Sequence, residues 1–278
     1  QAIFKDRKVF WILAGICMGL AFDSKYTGAA LQIGLLLFLV TSTTYRKLLL
    51  TPYPYLSLVL AQLVMAPVYI WNMQHEWASF AFQSTTHTKS ALSFRPQYLL
   101  ALLATQAALV GPPLLVLFFR WIGATTSQMV RSRRPLMVLT EQQLFLVLFF
   151  APLFLGFFAL SFTSLVKPNW LMPAYLSGMI LVAPMLSERF MKAQVAFVVV
   201  LHLLAIVYLG TLFYPIKSDD TCIGWKALGE RVEQELTVQP ELFVFAADGY
   251  KTSAELRFYT GREIFSENIL GNPALHFD

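Results

Sequence analysis

The chain has 278 residues, of which 57% are hydrophobic, 15% aromatic and only 13% charged, with a mean hydropathy of +0.59. A soluble domain carries about 25% charged residues and could not hide this much apolar surface. The net charge of +5 is small for this length and sits in short clusters, which points to membrane topology and away from nucleic-acid binding.

Seven apolar segments follow one another: Val9 to Phe22, Tyr26 to Val40, Tyr53 to Trp71, Tyr98 to Phe119, Gln142 to Phe162, Leu171 to Leu186 and Ala193 to Tyr214. A membrane-spanning helix needs about 20 residues, and only some of these reach it. The first two are short and meet at Asp23-Ser24-Lys25. They form either two short helices joined by a polar hairpin or one broken re-entrant element, and in both cases Lys25 should not face lipid. The opening QAIFKDRK is basic and begins with Gln1. Spans continue well past it, unlike a signal peptide, and the chain is read as a piece whose beginning is missing.

Basic residues fall in alternate connections: Lys5, Arg7 and Lys8; Arg46 and Lys47; Arg120, Arg131, Arg133 and Arg134; Arg189 and Lys192. The positive-inside rule assigns these to the cytoplasm and sends Asp23 to Lys25, Asn72 to Pro96 and Ser164 to Trp170 outward. The outward set holds His75, Trp77, Gln83, His87, Lys89, Lys167, Asn169 and Trp170, so any chemistry belongs on the outer face.

The composition changes after Tyr214-Pro215. Trp225, Leu228, Val232 and Leu236 recur at helical spacing, Leu242 to Ala247 reads as a short strand, and Thr252 with Glu255 resembles a capping box for a helix through Tyr259. The expected architecture is an α-helical, multi-pass integral membrane domain over 1–214 with a small α/β extramembrane domain over 215–278. About 60 residues is marginal for a domain standing alone, so packing on the outer ends of the spans is expected.

The run SLVKPNWLMPAY, Ser164 to Tyr175, sets a cation, an amide, an indole and two prolines between apolar runs. Polar groups at membrane depth persist where they face water, protein or an anionic ligand. Lys25 and Lys167 are therefore the cations suited to a lipid-linked phosphate, with snorkelling to headgroups as the plainer alternative. Asp23 is a ready ion-pair partner for Lys25. His75 and His87 share a loop with Glu76, but their spacing does not match two ligands on one helix face and no cysteine is near, so metal binding gains no support. Trp71, Trp77, Phe80 and Phe82 read as an interfacial belt or as a substrate wall. Walker, Rossmann, GxSxG and HExxH signatures are absent from the sequence, which leaves nucleotide and serine hydrolysis without support.

Several stretches together resemble a known family. AGICMGLAFDSKYTG (Ala14 to Gly28), PVYIWNMQHEWASFAFQ (Pro67 to Gln83), SLVKPNWLMPAY, GWKALGE and FVFAADGYKTSAELRFYTGR (within Gly224 to Arg262) occur in order along the chain. The sequence is similar to bacterial members of the dolichyl-phosphate-mannose protein mannosyltransferase superfamily, the GT-C membrane glycosyltransferases, including the aminoarabinose transferase type that modifies lipid A. The resemblance implies a transferase in the bacterial inner membrane, its small domain in the periplasm. It would take a sugar from a polyprenyl-phosphate donor to a lipid, glycan or protein acceptor. By motif position Lys25 and Lys167 look like donor-phosphate contacts, and His75, Gln83, Asn169 and Trp170 like pocket lining. The family's catalytic aspartate, in a first outer loop, is expected upstream of Gln1, and Asp23 is not its replacement. No organic cofactor is expected, and a divalent metal has no support in the residues. A transporter or flippase of lipid-linked sugars is the rival reading, and it would have no use for the small outer domain.

Overall fold

The structure is a computed structural model that describes residues 1–81, 94–132, 138–211, 224–247 and 250–266. Its contacts divide the chain into two compact units, one of Gln1–Glu76 with Ser84–Ile206, the other of Trp77–Gln83 with Val207–Asp278.

In the first unit the helices are α1 (Val9–Ser24), α2 (Ala29–Thr41), α3 (Tyr53–Gln74), α4 (Gln97–Val110), α5 (Pro112–Arg131), α6 (Glu141–Leu160) and α7 (Met172–Val182), followed by α8 (Glu188–Thr211), which continues past Ile206. Three of them, α3, α6 and α8, are long and apolar enough to cross a membrane, and a bent pair, α4 with α5, could make a fourth. No residue of α8 is buried, although Val195, Val199, Leu203 and Ile206 stand on its surface. In water such an apolar helix would have to find cover. In a bilayer the acyl chains provide it.

Small residues set the first packing contact. Gly15 and Gly19 on α1 lie against Ser57 and Ala61 on α3, both fully buried, so that a Cβ on Gly15 would stand 2.4 Å from the Ser57 carbonyl oxygen and one on Gly19 would stand 2.5 Å from the Val64 Cβ. Without a hydrophobic drive between helices in lipid, close backbone approach at small residues is what holds them together. The matched order of these contacts, and of Phe22 with Tyr69 (ring centroids 6.0 Å apart), shows that α1 and α3 run parallel. The α2–α6 pair is antiparallel: Gly34 meets Leu148, Phe38 meets Phe145, and Ser42 donates to Glu141 Oε2 at 2.7 Å. Glu141 also accepts from Thr43 Oγ1 and the Thr44 amide, while the Thr140–Gln143 capping box starts α6. Two buried clusters result, one around Trp11, Phe38 and Leu144, the other around Phe118, Phe150 and Tyr175.

These directions sort the connections. Lys8 lies over the Tyr53 ring at 5.2 Å, and Phe4 packs on Phe38 and Tyr45, so the starts of α1, α3 and α6 share one end of the unit with the basic residues that precede α1 and those that follow α2. The ends of α1, α3 and α6, and with them Lys25, His75 and Lys167, share the other.

The apolar segment Tyr98 to Phe119 is broken in the structure. The chain bends by 116° between α4 and α5, at Val110-Gly111-Pro112. Gly111 takes φ +91°, a conformation that favours glycine, and Pro112 suits a helix start but not a helix interior. The carbonyl of Val110, orphaned at the break, accepts from Gln194 Nε2 at 2.7 Å.

In the second unit, α9 (Trp225–Val238) and α10 (Tyr250–Thr260) pack together, with Gly229 directly beneath the Tyr259 Cβ. Arg262 grips Glu233 with two hydrogen bonds, Nε to Oε1 at 2.6 Å and a second guanidinium nitrogen to Oε2 at 3.0 Å. The α/β expectation is not met. Among the described residues no strand forms, and Leu242 to Ala247 contributes one parallel bridge, Phe245 with Phe265. A lone bridge lacks the neighbouring strands that stabilise a sheet. Thr252 is not an N-cap either, since it lies within α10, which begins at Tyr250.

Candidate functional site

The end of the first unit that gathers Lys25, His75 and Lys167 carries two groups of side chains. On the α1–α3 side, α1 stops at Lys25, whose extended backbone (φ −165°, ψ 133°) ends the helix with its amide still bonded to Ala21 O at 3.1 Å. A 3-10 turn, Tyr26–Gly28, then carries the chain into α2; Gly28 lies so close to Ala21 that a Cβ would fall 2.4 Å from the Ala21 carbonyl carbon. The tightness of SKYTG thus has a steric cause. Lys25 is half-buried, and among the described residues no ion pair joins it to Asp23 or to any other carboxylate.

His75 caps α3 one turn beyond Trp71. Its ring stacks on the Trp71 indole at 4.2 Å, and Nδ1 lies 2.7 Å from the Trp71 carbonyl oxygen. A carbonyl can only accept, so Nδ1 carries the hydrogen and Nε2 is the nitrogen directed elsewhere. Glu76 and Trp77 follow with positive φ, 51° and 60°, which turns the chain sharply off the helix. Gln83, His87 and Lys89 lie outside the described residues. Among the described residues no three His, Cys, Asp or Glu side chains converge on a point that could hold a metal ion.

On the α6–α7 side, Lys167 is exposed and extended (φ −67°, ψ 142°), as the following proline requires, and Pro168–Leu171 form one 3-10 turn that leads into α7. Asn169 is exposed, whereas Trp170 is half-buried with one face against Phe157, ring centroids 5.4 Å apart. Trp170 is therefore a wall fixed to the core rather than a free stacking surface. The structure brings Lys25, His75, Lys167, Asn169 and Trp170 to one end and leaves them on two halves of the unit.

Amides inside the apolar runs went unread in the sequence. Gln106, 3% exposed on α4, donates from Nε2 to the Pro168 carbonyl at 3.0 Å and pins the turn that presents Lys167. On the α1–α3 side, Tyr69 donates to Gln62 Oε1 (3.1 Å), Gln62 Nε2 to Gln32 Oε1 (2.9 Å), and Gln32 Nε2 lies 3.2 Å from Met65 Sδ. Their signal was available: a glutamine within an apolar run must find a partner or water.

Residues 1–71 match the family model of dolichyl-phosphate-mannose-protein mannosyltransferase. The matched stretch holds α1, α2, most of α3 and Lys25, and ends before the turn that bears Lys167. It supports a membrane glycosyltransferase. No curated protein and no solved structure matches the chain.

Proposed function

We propose that this chain is a GT-C membrane glycosyltransferase that moves a sugar from a polyprenyl phosphate to a lipid, glycan or protein acceptor at the outer face of a bacterial inner membrane. The observation that carries the proposal is the family match over residues 1–71, which includes the α1–α2 junction that presents Lys25. In the reaction the bond from the sugar's anomeric carbon to the phosphate oxygen breaks and its electron pair leaves with the phosphate. The acceptor oxygen bonds to that carbon, and its proton passes to a base.

Fixed cations near the phosphate lower the barrier as its charge develops. Lys25 and Lys167, at one end of the helices, are assigned that task. Asn169, Trp170 and His75 are assigned to the lining of the donor pocket, and Gln83, which lies outside the described residues, is assigned to it by motif position alone. The motifs are compatible with the aminoarabinose transferase type, whose acceptor is lipid A. The segment 215–278 is assigned to the periplasm.

The test is transfer from a radiolabelled polyprenyl-phosphate sugar by the full-length protein in membrane vesicles. Label recovered in a new acceptor, with polyprenyl phosphate released, supports transfer. Label that crosses the bilayer still bound to its polyprenyl phosphate would make the protein a flippase instead.

A further inference from the structure

The Tyr69–Gln62–Gln32 ladder stands in a place where lipid would not tolerate it. Gln62 is ten residues into the 22-residue α3 and thus near the middle of a helix about 33 Å long, yet it is exposed. Seven residues separate it from Tyr69, so the ladder descends about 10 Å from the end that carries Lys25. Each amide still has hydrogen-bonding capacity beyond the bonds described: Gln62 Nε2 has a second hydrogen, and both Gln oxygens a second lone pair. An exposed half-satisfied amide at this depth persists where it lines water or a polar ligand. Its neighbour Leu63 is 65% exposed and apolar, so the polar and lipid-facing surfaces of α3 are adjacent but distinct.

The mouth of this strip has its own chemistry. Asp23 is exposed and lies near enough to Tyr69 to act on it electrostatically. The rings of Phe22, Tyr26 and Tyr69 group together at this end, Phe22 lying 5.2 Å from Tyr26 and 6.0 Å from Tyr69. A carboxylate and two amides can each take hydrogen bonds from vicinal hydroxyls, and aromatic rings present faces to the C–H surface of a pyranose or furanose. Lys25 beside them supplies the one cation needed for a phosphate.

We propose that Asp23, Tyr26, Gln32, Gln62 and Tyr69 line a water-filled crevice that receives the hydroxyl-bearing sugar of the lipid-linked donor, with its phosphate at Lys25. This rests on the glycosyltransferase reading for the donor's identity, but not for the crevice itself.

The experiment is thiol labelling of the full-length protein in vesicles, with Cys17 and Cys222 replaced by Ser. Gln62→Cys and Leu63→Cys are compared using a membrane-impermeant methanethiosulfonate. Gln62→Cys should react at least tenfold faster than Leu63→Cys, and a polyprenyl-phosphate sugar should slow it several-fold where bare polyprenyl phosphate does not. Equal, slow labelling at both positions would overturn the crevice. Rapid labelling that neither lipid slows, or that both slow alike, would overturn the sugar site. Because labelling needs no turnover, failure of transfer with protection intact would remove the transferase reading and leave the site standing.

Discussion

Gln106→Leu separates positioning from stability. In the native structure Gln106 makes one hydrogen bond, Nε2 to Pro168 O at 3.0 Å, while its Oε1 is buried with no partner among the described residues. A buried unsatisfied acceptor costs about 1–3 kcal/mol, and leucine removes it. Against that stands the lost hydrogen bond, about 1 kcal/mol, and a Pro168 carbonyl that can turn to water because Pro168 is exposed. The two effects oppose each other at similar size, so the net change in stability should stay within about 1 kcal/mol, a melting shift of no more than about 3 °C. The turn bearing Lys167 nevertheless loses the hydrogen bond that ties it to α4. Misplacement of a binding group by about 1 Å can cost on the order of 100-fold, so kcat/KM for sugar transfer should fall about 10- to 100-fold. Gln106→Asn falls one methylene short of Pro168 and leaves a buried amide with both its oxygen and its nitrogen unpaired, so it should lose stability as well as activity. The assays are thermal unfolding in detergent and transfer kinetics with a polyprenyl-phosphate sugar. A Gln106→Leu protein with unchanged kcat/KM would refute the positioning argument. One destabilised by more than about 3 kcal/mol would refute the cancellation.

Gly19→Leu should drive α1 from α3, since even a Cβ would meet Val64 at 2.5 Å; overpacking of about 1–3 kcal/mol or more should appear as lower yield and a reduced melting temperature, with Gly123→Leu, which faces open space, as the harmless control. In the second unit the Arg262 guanidinium bonded to Glu233 holds that carboxyl below its usual range. The folded state then binds fewer protons than the unfolded one in that range. The contribution is present above the ordinary carboxylate pKa, about 4.3, and is lost as pH falls through the lower folded value. Thermal unfolding should accordingly show wild type above Glu233→Gln at pH 6.5 and the gap closing at pH 3.5; a gap that widens with acid would contradict the assignment.

Composition made the membrane legible, because it is a sum over many residues that no single contact can overturn. The KPNW turn and the Lys25 junction were readable for a related reason: a cation between apolar runs is rare. The bend at Gly111 was missed by counting Tyr98 to Phe119 as one apolar run, although Gly-Pro-Pro within it marks a helix end and a new start. Gln32, Gln62 and Gln106 were missed because apolar periodicity treats a lone amide as noise. Their meaning comes from partners about 7 to 62 residues away in sequence. Leu242 to Ala247 is an apolar run of strand length, yet strand formation depends on neighbours that the described chain does not provide.

The account stands most directly on transfer by Lys167 variants of the full-length protein, measured in vesicles with a labelled polyprenyl-phosphate sugar. Lys167 is exposed at the end shared with Lys25 and extended by Pro168. Lys167→Ala should lower transfer about 100-fold or more with membrane insertion unchanged, and Lys167→Arg should recover part of it, since the charge survives while its geometry changes. Wild-type turnover and donor affinity in Lys167→Ala would leave this residue a snorkelling lysine and contradict the phosphate site.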